Sequence, residues 1–269
     1  MLYTKNDILE QLKSLNVPQD KIVMVHSSMR SVGKVEGGAE TLLDALISHV
    51  TAMGGLLCIP THTWHNLGKD IITLDLTKNE HCMGALATVA LKDARGIRSE
   101  NPTHSLVVFG DKEQAEEYIS NEPFVKTSTA KEGCYGRLFE RDGCVLLLGV
   151  AQNKNTYLHA VDEILNVPNR MDAKATPVSV KRKDGTVING EIGLYYTDYT
   201  EDISERFVKY DTAFRYHRCI KDGFIGDAPV QLCSAKKMKE TIELILKQSG
   251  GEDPLYSEAP IPQKWYCIK

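Results

Sequence analysis

The 269-residue chain contains no Cys-x-x-Cys pair, and its seven cysteines (Cys58, Cys82, Cys134, Cys144, Cys219, Cys233 and Cys267) are odd in number and scattered. That spacing suits neither a disulfide framework nor a zinc knuckle. Several of them lie in apolar runs such as LLCIP and CVLLLG, where a free thiol behaves as a small buried hydrophobe. A reducing, cytoplasmic setting is therefore expected. Apolar stretches of the roughly 18 residues needed to span a membrane are missing. The start, MLYTKNDILEQL, is polar where a secretory leader would be apolar. Lys and Arg (32) do not outnumber Asp and Glu (36), so there is no basic field for nucleic acid, and the net charge of −4 leans towards a cationic small molecule. Repeats, low-complexity tracts and linker-like stretches are absent as well, and the chain reads as one domain over residues 1–269. Several chemistries lose their usual signatures: there is no GxxxxGK[ST] phosphate loop, no GxGxxG fingerprint and no GxSxG nucleophile turn.

What remains is an ordinary soluble composition, with 42% hydrophobic and 25% charged residues. A chain of this length buries about 70–75% of its unfolded surface, so its core needs no metal or disulfide. Residues 4–14 read as an amphipathic helix capped by Thr4, with Ile8, Leu9 and Leu12 on one face. KIVMVHSSM (21–29) reads as a buried strand, AETLLDALISHV (39–50) as a helix and GGLLCIPT (54–61) as a second strand. Strand, loop, helix and strand in that span make a βαβ unit, which implies parallel pairing covered by helices. Helices are expected at 83–92 and in KEQAEEYI, strands at 105–110 and 144–150, and a further helix at 156–166. The segment 175–200 alternates apolar and polar residues around Asp184-Gly185, an antiparallel hairpin signal. SAKKMKETIELILKQ closes the chain with a helix. The fold class expected is α/β: a central, largely parallel sheet flanked by helices, plus an antiparallel β extension.

Three polar constellations interrupt these elements. The first is His26-Ser27-Ser28, Ser31, Gly33 and Gly37-Gly38, at the carboxyl end of a strand and before a helix. Open α/β sheets bind ligands at such points, and free N–H groups with a helix dipole favour an anion there. A Gly/Ser turn with no ligand has the same appearance. The second is Asn155-Thr156-Tyr157-Leu158-His159, with Asp162 three residues beyond and so on the same helical face. A cap at Asn155 or Thr156 puts His159 in the first turn, where a positive helix end disfavours imidazolium and keeps the ring available as a base. A packed structural histidine fits the same position. The third is Arg98-Ser99-Glu100-Asn101-Pro102-Thr103-His104-Ser105, a fixed turn entering a strand. His62, His65 and His81 fall close together, but their loop offers no Cys or Glu at matching spacing, so no metal is expected.

In their order and spacing these segments resemble the aminoglycoside 3-N-acetyltransferase family. The pieces that carry the likeness are VHSSMRSVGKVEGGAETLLDAL (25–46), GGLLCIPTHT (54–63), RSENPTHSLVVFG (98–110), GCVLLLGV (143–150), TYLHAVDE (156–163) and IGDAPVQL (225–232). The resemblance implies the antibiotic N-acetyltransferase fold, distinct from the widespread GNAT one. It also implies acetyl-CoA as donor and an amine, such as the 3-amino group of a 2-deoxystreptamine aminoglycoside, as acceptor. In that reading Ser27, Ser28, Ser31, Val32, Gly33 and Gly37 hold the donor, and Thr61, Asn101 and Ser105 line the same cleft. His159 matches the family's catalytic histidine, and Asp162 or Asp211 is its carboxylate partner. The protein would act as a monomer or homodimer. The chain departs from the family in a shorter segment between Pro60 and Met83, in Gly133-Cys134-Tyr135, in Gln231 for Arg and in Asp162 for Glu. These changes bear on the acceptor, for which another amine is the alternative; a serine-dependent acyl hydrolase using Ser27 or Ser28 is the second.

Overall fold

The apolar runs that suggested buried strands alternate strictly between two cores. In a computed structural model that describes residues 1–171, 174–195 and 202–267, Ile22–Ser27 sends Ile22 and Met24 to one hydrophobic cluster and Val23 and Val25 to the other. Leu56–Pro60, Leu106–Phe109 and Cys144–Leu148 divide in the same way: Cys58, Val108 and Val145 face one side, and Leu57, Val107 and Leu146 the other. Successive side chains of a strand point to opposite faces, so a strand covered on both must be apolar throughout. Cys58 is a small hydrophobe within this pattern, and burial raises its thiol pKa well out of the reactive range.

Seven strands form the main sheet, in the order Ile220–Ile225, Ala228–Ser234, Cys144–Leu148, Ile22–Ser27, Leu56–Pro60, Leu106–Phe109, Ile97–Arg98. The α/β class is as expected, but the parallel character is narrower than "largely parallel". Ile22–Ser27 pairs in parallel with Cys144–Leu148 and with Leu56–Pro60, and the remaining four pairings are antiparallel. The βαβ crossover fixes only the centre, and short reversals at Gly226 and before Leu106 add the flanks. Helices Lys5–Ser14, Gly38–Val50 and Ala85–Lys92 cover one face. Lys112–Ile119, Cys134–Glu140, Tyr157–Ile164, Asp211–Tyr216 and Ala235–Gln248 cover the other.

The antiparallel extension forms where the sequence pattern put it. Thr176–Lys181 and Val187–Ile192 pair around the Asp184-Gly185 turn, which uses a left-handed Gly185 (φ 89°). Ile72–Asp75 adds in parallel to Thr176–Lys181, and Leu74, Leu76 and Val180 make a small core of their own. The shortened segment is therefore partly a strand; its alternation in ITLDL was the available signal. Arg182 clamps the hairpin onto the main body through both oxygens of Glu100, at 2.7 Å each. Among the described residues no helix is long and apolar enough to cross a membrane.

Candidate active site

The carboxyl end of Ile22–Ser27 opens into a cleft of about 350 Å³ lined by His26, Ser27, Trp64, Met83, His104 and His159, with Asn153, Lys154, Asp202 and Ser204 completing one wall. Its position follows from topology: the central parallel strands stop there, and the chain leaves on both sides into loops that enter helices. Two helix starts, Gly84 before Ala85–Lys92 and Thr156 before Tyr157–Ile164, border the cleft. A helix start leaves N–H groups without an intrahelical partner, but at the second one Leu158 N and His159 N already donate to the Asn155 and Thr156 carbonyls, at 3.1 Å each.

His159 is the third residue of Tyr157–Ile164, in the first turn as expected. Neither predicted cap operates through its side chain: Thr156 makes no capping bond, and Asn155 Nδ2 instead donates to Gln152 Oε1 (2.9 Å). The imidazole is partly open to the cleft, its Nδ1 is buried, and among the described residues no hydrogen bond reaches that atom. The ring is held by two edge-on aromatic neighbours, Tyr195 at 4.1 Å and Phe207 at 4.9 Å between centroids. Burial lowers its pKa from 6.5 to about 4; the charge of Asp202 opposes the shift and that of Arg170 adds to it. The ring is therefore neutral at pH 7, with a free nitrogen towards the cleft.

The expected carboxylate partners are placed differently. Asp162 lies one turn from His159 but is buried, and its Oδ2 accepts from Arg170 Nε (2.9 Å) and Tyr195 OH (2.5 Å). It does not bond the imidazole. Asp211 is farther off: it pairs with Arg215 (2.6 Å) and accepts from Gln231 Nε2 (3.0 Å), outside the residues lining the cleft. The carboxylate that does line it is Asp202, which also accepts from Ser204 N (2.9 Å) at the start of the 3₁₀ turn Ile203–Tyr210. Sequence reasoning missed Asp202, whose only local signal was Asp-Ile-Ser, a helix-capping pattern.

The expected donor residues also separate. Ser27 lines the cleft. Ser31 Oγ donates to Ser28 Oγ (3.0 Å) and also lies 3.2 Å from the Gly149 carbonyl, and Val32 is fully buried. Gly33 is left-handed (φ 83°), and a Cβ there would lie 2.3 Å from Asp227 Oδ2. Packing against a carboxylate explains that glycine. Gly37 is an exposed left-handed residue leading into Gly38–Val50. Thr61, Asn101 and Ser105 are buried beneath the cleft instead of lining it. Ser105 and Thr61 share a hydroxyl contact (3.1 Å), and Arg98 reaches Ser105 Oγ (3.2 Å) and the Thr61 carbonyl (3.1 Å). Asn101 Oδ1 closes the turn by accepting from His104 N (2.8 Å). Among the described residues, neither Ser27 nor Ser28 is hydrogen-bonded to a histidine, so the pairing a serine nucleophile requires is not formed.

Trp64, which also lines the cleft and is 42% exposed, is steadied by Nε1–H donating to His104 Nε2 (3.3 Å) and by a tilted ring contact with His62 at 4.8 Å. His62 is itself bonded to Tyr135 OH (2.6 Å), whereas His81 lies apart, bonded to Met83 N and Thr88. Among the described residues no three His, Cys, Asp or Glu side chains group to hold a metal.

Comparison with known proteins gives a consistent picture. The family model described as aminoglycoside 3-N-acetyltransferase matches residues 24–247. Aminoglycoside N(3)-acetyltransferase IV of Salmonella sp is 28% identical over 260 residues, spanning 96% of this chain and 92% of that protein. A crystal structure of a histidine-to-alanine variant of aminoglycoside acetyltransferase AAC(3)-IVa, in complex with a gentamicin, superposes with a TM-score of 0.77 at 25% identity, over 94% of this chain and 93% of the other. The binary complex of AAC-IIIb with CoASH shares the fold (TM-score 0.78, 21% identity, 93% of this chain and 98% of that one).

Proposed function

We infer that this chain, which belongs to the aminoglycoside 3-N-acetyltransferase family, moves the acetyl group of acetyl-CoA directly onto an amine held in the cleft, with His159 as general base. The observation that carries this reading is His159 itself: a neutral imidazole in the first turn of a helix, partly open to the cleft, with Nδ1 buried. An ammonium group has no lone pair with which to attack a thioester, so a base must take its proton. His159 takes one proton from the ammonium and frees its lone pair, the nitrogen bonds to the thioester carbon, and the tetrahedral oxyanion collapses with departure of the CoA thiolate while the nitrogen sheds its second proton; His159 returns its own proton to solvent. The thiolate then takes a proton. Backbone N–H groups at the start of Ala85–Lys92 are suited to stabilising the oxyanion, and Ser27 also lines the cleft. Because Thr61, Asn101 and Ser105 are buried, their contribution is to shape the floor.

The acceptor proposed is an aminoglycoside amine, in keeping with the substrates named for the relatives. Asp202 gives the cleft an anionic point for the ammonium, and Trp64 offers a face on which a saturated ring can stack. Free thiols at all seven cysteines suit a cytoplasmic enzyme. Release of CoA thiol from acetyl-CoA, measured against a panel of amines that includes 2-deoxystreptamine aminoglycosides, tests the proposal. Turnover with gentamicin-type acceptors is expected. CoA release with a non-aminoglycoside amine alone would favour the alternative acceptor, and hydrolysis without any amine would favour the acyl hydrolase.

Asp202→Asn separates binding from chemistry. Removing a charge that raises the His159 pKa moves the acid limb of kcat/KM to lower pH, and losing the ammonium's counter-charge raises the KM for the amine. The expected rise is about fivefold to tenfold, corresponding to about 1 kcal/mol for one charge pair in a partly solvated site. Steady-state kinetics with the amine varied checks both effects.

A further inference from the structure

We propose that Tyr195 is the residue that positions His159 for proton abstraction, with its hydroxyl held by Asp162 in a buried Asp253–Arg170–Asp162 array. This rests on His159 being the base. A catalytic imidazole is usually aimed by a carboxylate on its second nitrogen, yet among the described residues Nδ1 of His159 is buried without a partner. The ring's orientation must therefore come from packing. Among the described residues its nearest aromatic neighbour is Tyr195, with centroids 4.1 Å apart and planes at 69°, and Phe207 stands on it at 63°.

Tyr195 is fixed at both ends. His159 and Asp162 share one face of their helix, one turn apart, and Tyr195 spans them: its ring lies against the imidazole and its hydroxyl donates to Asp162 Oδ2. Asp162 is fixed in turn. Arg170 Nε donates to the same oxygen at 2.9 Å, and the far end of Arg170 is ion-paired with Asp253 at 2.5 Å. Asp162 and Arg170 are each 1% exposed, and charges that deep persist only while paired, so the array has little freedom. Arg170 alone would neutralise Asp162. Sharing Oδ2 between guanidinium and phenol selects one rotation of the tyrosine ring, and thereby one orientation of the imidazole.

Among the described residues the charged and titratable groups around His159 can be named. Asp202, His104, His26 and Lys154 share the cleft lining with it, Asp162 lies on its own helix, Arg170 on the following segment, and His62 is close enough to feel its charge. Glu163, next on the helix, is taken up by the hydroxyls of Thr127 and Thr129. Asp162 thus reaches the base by two routes, mechanically through Tyr195 and electrostatically by offsetting Arg170.

The test uses Tyr195→Phe and Asp162→Asn in the full chain, each alone and with His159→Ala, in CoA-release kinetics across pH, with thermal unfolding to confirm folding. Tyr195→Phe keeps the ring and removes its anchor. It should lower kcat about tenfold to hundredfold, the scale of a misplaced reacting group, with the KM for acetyl-CoA unchanged. In the His159→Ala background it should cost nothing further, because a positioning residue acts only through the group it positions. Asp162→Asn exposes His159 to an unbalanced Arg170 and should move the acid limb to lower pH; a limb that stays in place would remove Asp162 from the scheme. Unchanged kcat in a folded Tyr195→Phe variant, or a loss that persists in the His159→Ala background, would overturn the assignment of Tyr195 while leaving His159 as the base. Full turnover in His159→Ala alone would instead remove the base reading beneath it.

Discussion

Replacing His159 with alanine should reduce the rate of acetyl transfer by about 10²–10⁴, the usual contribution of a positioned general base, while acetyl-CoA affinity stays within a few-fold. The size follows from how little else in the cleft is placed to take a proton. His104 has both nitrogens occupied, by Trp64 and Thr103, and burial with the charge of His159 lowers its pKa to about 3. Asp202 is the one carboxylate among the described residues that line the cleft, but it is engaged with Ser204. Donor affinity should survive because the ring is one wall residue among many. Rapid-quench turnover with saturating amine, beside calorimetric titration of acetyl-CoA, separates the two quantities. Full loss of donor binding would recast His159 as a structural part of the cofactor cleft.

Steep acid destabilisation is the second large effect expected. His26 and His159 have their pKa values lowered to about 4, His104 to about 3, and His62 well below 6.5, burial being the first cause in each case. Above about pH 6.5 these rings are neutral in both folded and unfolded chains and contribute no pH dependence. As pH falls below that value the unfolded chain takes up protons that the folded one excludes, so stability is lost down to the folded pKa values. Each buried ring costs about 1.4 kcal/mol per pH unit across that window. Four together exhaust an ordinary stability of roughly 5–15 kcal/mol within a few pH units. Urea titrations at intervals from pH 7.5 to pH 5 should show unfolding free energy falling ever more steeply below pH 6.5, and a flat profile would mean that the rings are hydrated in the native state.

The same histidines show what local sequence could and could not convey. The place of His159 in the first turn of a helix was legible because what defines it is local, an apolar strand, a short polar loop and a helix start, whereas its assignment as the base came from the family resemblance. The strands were legible for a similar reason, since double burial leaves an unbroken apolar run such as CVLLL. Asp162 was legible as a neighbour by its spacing of three, but its role depends on Tyr195 and Arg170, which come from later segments, and no periodicity links them. Asp202 likewise reaches the cleft only because Ile203–Tyr210 packs beside the loop Gln152–Lys154. The glycine-rich passage is ambiguous for a physical reason. A left-handed glycine is required equally by a phosphate and by a close-packed side chain, and at Gly33 the neighbour is Asp227. The antiparallel flanks of the sheet were hidden because an apolar strand does not reveal its partner's direction.

The account's central claim is that a neutral His159 at the cleft wall accepts the proton in acetyl transfer. The most direct test follows the His159 ring by NMR while kcat/KM is measured over the same pH range, since the acid limb of that profile reports the free enzyme's base. The account predicts one value from both experiments, well below 6.5 and near about 4, with the amine's own ionisation confined to the alkaline limb. A ring that titrates at an ordinary 6.5, or an acid limb that does not follow the ring, would contradict it.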